Sequence, residues 1–215
     1  MTTKDKLLTM LSMQNKLNIL VHPEWHTQNF PWTRAIMVEG VEALEHYGWK
    51  WWKRQTPDMP QLRIELVDIW HFVLSYYIEH YSPHETPLAD HLEQVINNGA
   101  PLYMVASDPA KCLEILIGRA ALGEPHMFAL LALMEQCNLP FDDLYRLYIA
   151  KNVLNAFRQD NGYKAGTYIK IWDGVEDNVA LAVLMALKPD ATPDQLRLKL
   201  ESVYAKAVVA AEAPV

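Results

Sequence analysis

Apolar residues recur every three or four places along most of the chain, the period of an amphipathic helix. The segments run near 3–20, 31–48, 60–81, 85–98, 108–121, 125–137 and 141–159, with another from about Asp173 or Gly174 to Leu187. "SDPA" (107–110) and "TPDQ" (192–195) each put a polar residue ahead of a proline, the arrangement that caps and starts a helix. The second opens a terminal helix whose end, "VVAAEAPV", is expected to fray. "QDNGYKAGTY" (159–168) breaks the pattern with glycines and an Asn-Gly pair and reads as a loop. There is no internal repeat and no low-complexity linker. The pattern predicts one all-α domain over residues 1–215, a helical bundle in which the weaker helices of 85–140 form a looser, lid-like subdomain.

Within this pattern "RIELVDIWHFVLS" (63–75) is apolar almost all the way round. At about 100° per residue, Leu66, Val67, Ile69, Trp70, Val73, Leu74 and Ile78 cover most of the circumference and leave one sector to Glu65, Asp68, Phe72, Ser75 and Glu79. Such a helix is buried, and a buried carboxylate needs a cation, a partner or a proton. The preceding helix carries Glu39 and Glu42, also three apart and therefore on one face. The connection between the two helices, containing "WKWWKRQTPDMP", is short enough to make them antiparallel neighbours, with Glu39-x-x-Glu42 opposite Glu65-x-x-Asp68. Four facing carboxylates repel one another unless hard divalent cations join them. Glu39, Glu42, Glu65 and Asp68 are therefore the candidate ligands for two or more Mg²⁺ ions, with Mn²⁺ as a substitute. An isolated E-x-x-E is weak on its own, since Glu42-x-x-Glu45 repeats it in the same helix; the Glu65/Asp68 pair, in an apolar setting, carries the argument. Asp68-x-x-His71 has the spacing of half a di-iron site, but no Glu-x-x-His is present to supply the other half.

Composition narrows the picture further. A net charge of −7 argues against a general nucleic-acid binder. Cys112 and Cys137 lie in apolar helical contexts and read as core residues of a reducing cytoplasm. No apolar run reaches the roughly 20 residues of a membrane span, and the N-terminal segment lacks the continuous apolar stretch of a signal peptide. The expectation is a soluble, cytoplasmic protein.

Four blocks of the chain resemble a known family. They are "MQNKLN" (13–18), "WTRAIMVEGVEALEHYGWKWWK" (32–53), "IELVDIWHF" (64–72) and "KNVLNAFRQDNGYKAGTYIKIWDGVEDN" (151–178). Together they are similar to the all-α, dimeric dUTP pyrophosphatases, within the superfamily of MazG-like NTP pyrophosphohydrolases. The acidic pairs are shared across that superfamily, whereas "WKWWK" and the 151–178 block are specific to the dUTPase branch. Trp70 stands where the family has a smaller apolar residue, and 85–140 carries no motif of it. The resemblance implies Mg²⁺-dependent hydrolysis of dUTP, and of dUDP, to dUMP. The attacking water would be metal-bound and deprotonated with help from Glu42. The resemblance also implies a homodimer with active sites near the interface, and seven tryptophans on a chain of this size point the same way. The competing expectations are a relative with dCTP or broader nucleotide specificity, and a carboxylate-bridged di-iron protein.

The remaining candidates follow from what a nucleotide needs. Lys151, Asn155 and Arg158 form one helical stripe, and Tyr163, Lys164 and Lys170 lie on the adjoining glycine-containing loop. The resemblance implies Lys151, Asn155, Arg158, Lys164 and Asn178 as phosphate or sugar contacts. Asp173-x-x-Glu176 reads as a capping box, which leaves Glu176 ambiguous. Gln14 and Asn18, one turn apart, each offer a donor and an acceptor and match the imide edge of uracil. Trp52 and Phe72 are candidates to sandwich the base, while Trp49 and Trp51 read as core. His71 lies about 120° from Glu65 on the helical wheel, which makes it a structural hydrogen-bonder or base contact, not a metal ligand.

Overall fold

The computed structural model describes residues 1–81 and 84–212, and within them ten helices and one small hairpin make up the regular structure apart from a single 3₁₀ turn. Local chemistry sets most of the boundaries. α1 (Thr3–Val21) starts on a reciprocal cap in which Thr2 Oγ1 accepts from Asp5 N at 3.1 Å and Thr2 N donates to Asp5 Oδ2 at 2.8 Å. α2 (Trp32–Tyr47) ends at Gly48, whose φ of 86° is open to glycine without strain. α3 (Met59–His80) is capped by Asp58, which accepts from Gln61 N. α4 (Glu85–Asn98), the single turn α5 (Leu102–Val105), α6 (Pro109–Ala121), α7 (Met127–Gln136) and α8 (Phe141–Asp160) follow. α6 begins as expected, with Asp108 capping and Pro109 first; α5 has no counterpart in the periodicity.

The clearest departure lies near residue 173. Ile171–Trp172 (β1) and Val175–Glu176 (β2) pair antiparallel across Asp173 and Gly174, whose φ values are 50° and 82°. This is a two-residue Asp-Gly hairpin turn, so α9 (Asp177–Leu187) starts later than expected. Glu176 is its N-cap residue but its side chain makes no capping bond, and the Asp173–Glu176 capping box does not form. α10 (Pro193–Glu212) opens on Thr192 and Gln195, each accepting from the other's backbone N–H. The expected fraying of the tail concerns, in residues 213–215, positions outside the described residues.

Two long-range contacts fix the course of α2 and α3. His46 O, at the end of α2, accepts from Asp58 N at the start of α3, while Trp32 Nε1, at the start of α2, donates to Glu79 Oε2 near the end of α3. The pair is antiparallel, as expected. α1 and α8 run side by side in the same direction, tied by the Lys6–Asp142 ion pair near both N-termini and by Tyr148 against Met10 and Gln14 further along.

Most of the α3 circumference is buried, including Leu66, Ile69, Trp70 and Leu74. Trp70 is fully enclosed, with its indole N–H against Met10 Sδ. Leu88, Leu92, Leu113, Leu116, Leu130 and Leu133, all from residues 85–140, belong to the same continuous core as α1 and α3. A second cluster joins the end of α8 (Leu154, Phe157) to Trp172, Leu181, Leu200 and Tyr204. Cys112 and Cys137 are buried and free. Trp49 and Trp51 are not core: they stand 42% and 89% exposed on the connection after α2. That connection is too short and too polar to fold its indoles inward. No described helix is long and apolar enough to cross a membrane.

Two helical glycines separate packing from propensity. A Cβ on Gly40 of α2 would lie 2.8 Å from Ile117 Cγ1 and 3.2 Å from Leu116 Cδ2 of α6, while one on Gly118 meets nothing within 4 Å. Gly40→Val should destabilise by about 1–3 kcal/mol through overpacking, lowering Tm by roughly 2–4 °C per kcal/mol. Gly118→Ala should stabilise by about 0.5–1 kcal/mol through helix propensity alone. Thermal melts of the two variants test this, and equal signs would refute the close α2–α6 approach.

Candidate active site

The α2–α3 pair brings its acids together. Glu39, Glu42 and Glu65 each place a carboxylate oxygen within 4.8 Å of the others. Glu65 is buried, Glu39 half-buried and Glu42 exposed at the outer edge. Burial, then the charges of Asp68, Glu65 and Glu42, push Glu39 up to about 8. Burial and the Asp68 charge raise Glu65 to about 7, against the opposing pull of Lys151. Of the two neighbouring carboxyls, Glu39 has the higher value and keeps its proton to higher pH. His46, for which the sequence suggests no partner, sits with Nε2 at 3.3 Å from Glu65 Oε1. Among the described residues the cluster is all carboxylate: His71 is not part of it.

Asp68 faces the same cluster but is ion-paired to Lys151 at 2.9 Å. Lys151 is buried, and its ammonium also donates to Asn178 Oδ1 at 2.9 Å. One helical repeat further along α8, Arg158 donates to Asn155 Oδ1 at 3.1 Å and to Asn178 Oδ1 at 3.2 Å. It also makes a two-point pair with Asp177, Nε to Oδ2 and Nη2 to Oδ1, both 2.8 Å. The basic stripe is therefore interior. Although burial pushes Asp177 up, the Arg158 guanidinium and the Tyr168 hydroxyl hold its carboxyl below the ordinary range. Asp177 is fully buried, yet the sequence gives no sign of it: an acid at the start of a helix is unremarkable, and only the hairpin brings it back to Arg158.

A cavity of about 390 Å³ connects these groups to a neutral end. Glu39, Asp68, Lys151, Asn155 and Arg158 line one part of it, and Gln14, Asn18, Phe30, Trp32, His71 and Phe72 the other. Gln14 Nε2 donates to Asn18 Oδ1 at 3.0 Å, Asn18 Nδ2 to Ser75 Oγ at 3.0 Å, and Ser75 Oγ to His71 O at 3.0 Å. The Tyr148 hydroxyl lies 2.9 Å from Gln14 Oε1, and its ring stacks on His71. Burial holds His71 down to about 4, so the imidazole is neutral. Its Nδ1 donates to Val67 O at 2.9 Å, which leaves Nε2 as a buried acceptor without a partner. His71 is thus a structural hydrogen-bonder that also lines the cavity.

Five candidates are not part of the cavity wall: Glu42 and Glu65 adjoin Glu39 and Asn178 adjoins Lys151 and Arg158, whereas Trp52 and Lys164 stand apart. Trp52 is 57% exposed and packs edge-on against Trp49 and Trp51. Lys164 donates to Val21 O at 2.7 Å, at the end of α1, while its neighbour Tyr163 lines the cavity. Lys170 pairs with Glu176 at the surface. The sequence does not point to Trp32, Phe30 or Tyr148 here; Ser75 alone leaves a signal, as a small polar residue in the narrow sector of α3.

The acid cluster makes stability depend on pH in a stated direction. The unfolded chain ionises Glu39 and Glu65 from about 4.5, whereas the native state keeps their protons until about 8 and about 7 respectively. The native state therefore binds more protons between those values, and stability falls as pH rises through the window. Metal-free protein should melt higher at pH 6 than at pH 8.5, and Glu39→Gln should flatten the difference by raising the value at pH 8.5. A flat wild-type profile in chelator would contradict the buried cluster.

Comparison with known proteins agrees with this geometry. No curated protein matches the chain. A family model described as dUTPase matches residues 6–163, which takes in Gln14 and Asn18, both acidic pairs, His71, Lys151 and Arg158. By that match the chain belongs to the dUTPase family, in its all-helical form.

Proposed function

We propose that this dUTP-hydrolysing enzyme works with Mg²⁺, cleaves dUTP to dUMP and pyrophosphate, and also takes dUDP, releasing phosphate. The observation behind this reading is one cavity whose charged end, lined by Glu39, Asp68, Lys151 and Arg158, adjoins an all-oxygen acid cluster, with a neutral, hydrogen-bonding wall at the other end. The donor set fits a hard divalent ion, which takes oxygen ligands and leaves positions for phosphate and water. Glu39, Glu42 and Glu65 would hold two or more Mg²⁺ ions with Asp68, and Mn²⁺ is expected to substitute. When bound, the ions neutralise the polyphosphate and lower the pKa of water. Glu42, the exposed member, is the carboxylate placed to take the proton of the attacking water. Lys151, Asn155, Arg158 and Asn178 would contact phosphate and sugar, with Lys164 joining them from the adjoining loop. Two free, buried cysteines fit a reducing, cytoplasmic setting.

The neutral end supports the choice of base. Uracil carries an N3–H donor between two carbonyl acceptors, and the unpartnered His71 Nε2 is an acceptor. Cytosine has an acceptor at N3 and would leave that nitrogen facing another lone pair. Gln14 and Asn18 keep a spare amide hydrogen each for the carbonyls, and Phe72 gives an apolar wall. Trp52 would reach the base only from another position of its connection or from a second subunit. With Mg²⁺ present, dUTP should be hydrolysed faster than dCTP, dTTP or UTP, with dUMP as product, and Glu65→Gln should lose most turnover. His71→Ala should lower kcat/KM for dUTP by about 10–100-fold, the scale of one buried hydrogen bond of 1–3 kcal/mol, and should narrow the dUTP-over-dCTP ratio. A faster rate on dCTP, or an unchanged ratio in His71→Ala, would refute the assignment.

A homodimer is the second element of the proposal. Val38, Val41, Glu45 and Trp49 follow one another at helical spacing, Trp49 Nε1 donates to Glu45 Oε1, and all four are exposed. With Trp51 and Trp52 they make an apolar face next to Glu42 that a second copy would cover isologously. Light scattering should give about twice the chain mass of 24.7 kDa. Val41→Glu should shift it to monomer, and a fully active monomeric wild type would refute the shared interface.

A further inference from the structure

We propose that Asp177 is a positioning residue for the reaction: it holds the Arg158 guanidinium rigidly in the cavity wall, and the hairpin and α10, beyond the family match, hold Asp177. This rests on the reading of Arg158 as a phosphate contact.

Hydrogen-bond accounting makes the case. A guanidinium has five N–H donors. In Arg158, Nε and one Nη2 hydrogen go to Asp177, the other Nη2 hydrogen to Asn178 Oδ1, and one Nη1 hydrogen to Asn155 Oδ1. One N–H remains, on Nη1, for a ligand. Left alone, an arginine would have to order several rotatable bonds when the phosphate arrives; pinned in advance, it meets developing charge without reorganising. A buried ion pair by itself is a poor source of stability, so full burial of Asp177 fits an orienting role better than a stabilising one.

The support behind Asp177 is equally specific. The Tyr168 hydroxyl donates to Asp177 Oδ2 at 2.7 Å, and its ring stacks on Tyr204 of α10, 5.2 Å apart at 14°. The Tyr204 hydroxyl in turn accepts from Ile169 N, and Trp172 Nε1 donates to Ile169 O. The hairpin residues that precede α9 are thus tied at both faces, and the Asp-Gly turn sets where Asp177 emerges.

The test is a double-mutant cycle on dUTP hydrolysis with a structural readout. Arg158→Gln should lower kcat/KM about 10²-fold, the scale of losing one preorganised donor. Asp177→Asn should lower it about 10-fold, mainly in kcat, and Tyr168→Phe about threefold. Arg158→Gln/Asp177→Asn should be no worse than Arg158→Gln within about threefold, because both act through one guanidinium. In ¹⁵N spectra the Arg158 Nε–H should be protected from exchange in the wild type and lose protection in Asp177→Asn. Multiplying losses in the double variant, or an Nε–H signal unchanged by Asp177→Asn, would overturn the positioning role. Arg158→Gln with near-wild-type activity would overturn the phosphate reading and the positioning role together. Loss in Arg158→Gln with none in either partner variant would overturn the positioning role alone. Should Asp177→Asn not fold, Tyr168→Phe decides on the same cycle and spectrum.

Discussion

Glu39 and Glu65 converge between α2 and α3, largely out of water and within range of the Asp68 and Glu42 charges. Ionising both in that position is unfavourable, because burial and like charge act in the same direction. The fold tolerates them only by keeping a proton between them or by admitting a cation. Much of the architecture can be read from that constraint. The acids must lie on facing helices to converge, which needs the antiparallel α2–α3 hairpin, and α3 must be apolar elsewhere to be enclosed by its neighbours.

The internal cations do not resolve the conflict. Lys151 is matched by Asp68 and Arg158 by Asp177, so each buried base has its own acid. What is left over is Glu39, Glu42 and Glu65, the same three residues whose oxygens converge within 4.8 Å. A protein selected for stability alone would have replaced such a group with apolar residues at little loss. Its retention beside a cavity is what a site for an exchangeable cation requires. The neutrality of the opposite end fits the proposed base site by the same logic: a base that carries no charge is best read by dipoles, and a charged His71 there would lose its acceptor nitrogen.

The sequence carried the parts of this that depend on short spacing. The helical period, the Asp108 and Thr192 starts and the apolar α3 with its narrow polar sector are local, and they point to the facing acids and the antiparallel helix pair; the Thr2 and Asp58 caps emerge only in the structure. Gln14 and Asn18 were legible as a pair because they lie one turn apart. Trp49 and Trp51 were misread because bulky indoles suggest a core, whereas their connection leaves them in solvent. The Asp173-Gly174 hairpin was masked by an acid three residues on, which imitates a helix start. Asp177 and Tyr168 were out of reach in principle. Their roles exist only through Arg158, 19 and 10 residues away, across a turn whose geometry no short pattern encodes.

On the proposed reading Lys151 and Arg158 both meet the phosphates, and their partners differ in a way that bears on this. Lys151 is a point charge shared between Asp68 and Asn178, free to move its ammonium toward another oxygen at small geometric cost. Arg158 is a planar fork locked through two atoms to a fully buried acid and cannot turn without breaking both bonds. A phosphate chain entering the cavity would thus meet one adaptable cation and one fixed one. The adaptable charge sits beside the metal-ligand candidates, where the charge balance must change as ions bind. The fixed charge sits a helical repeat away, where the substrate's own position must be set. Asn178 accepts from both and so couples the two behaviours. Loss of its oxygen would leave Lys151 to Asp68 alone without releasing Arg158 from Asp177.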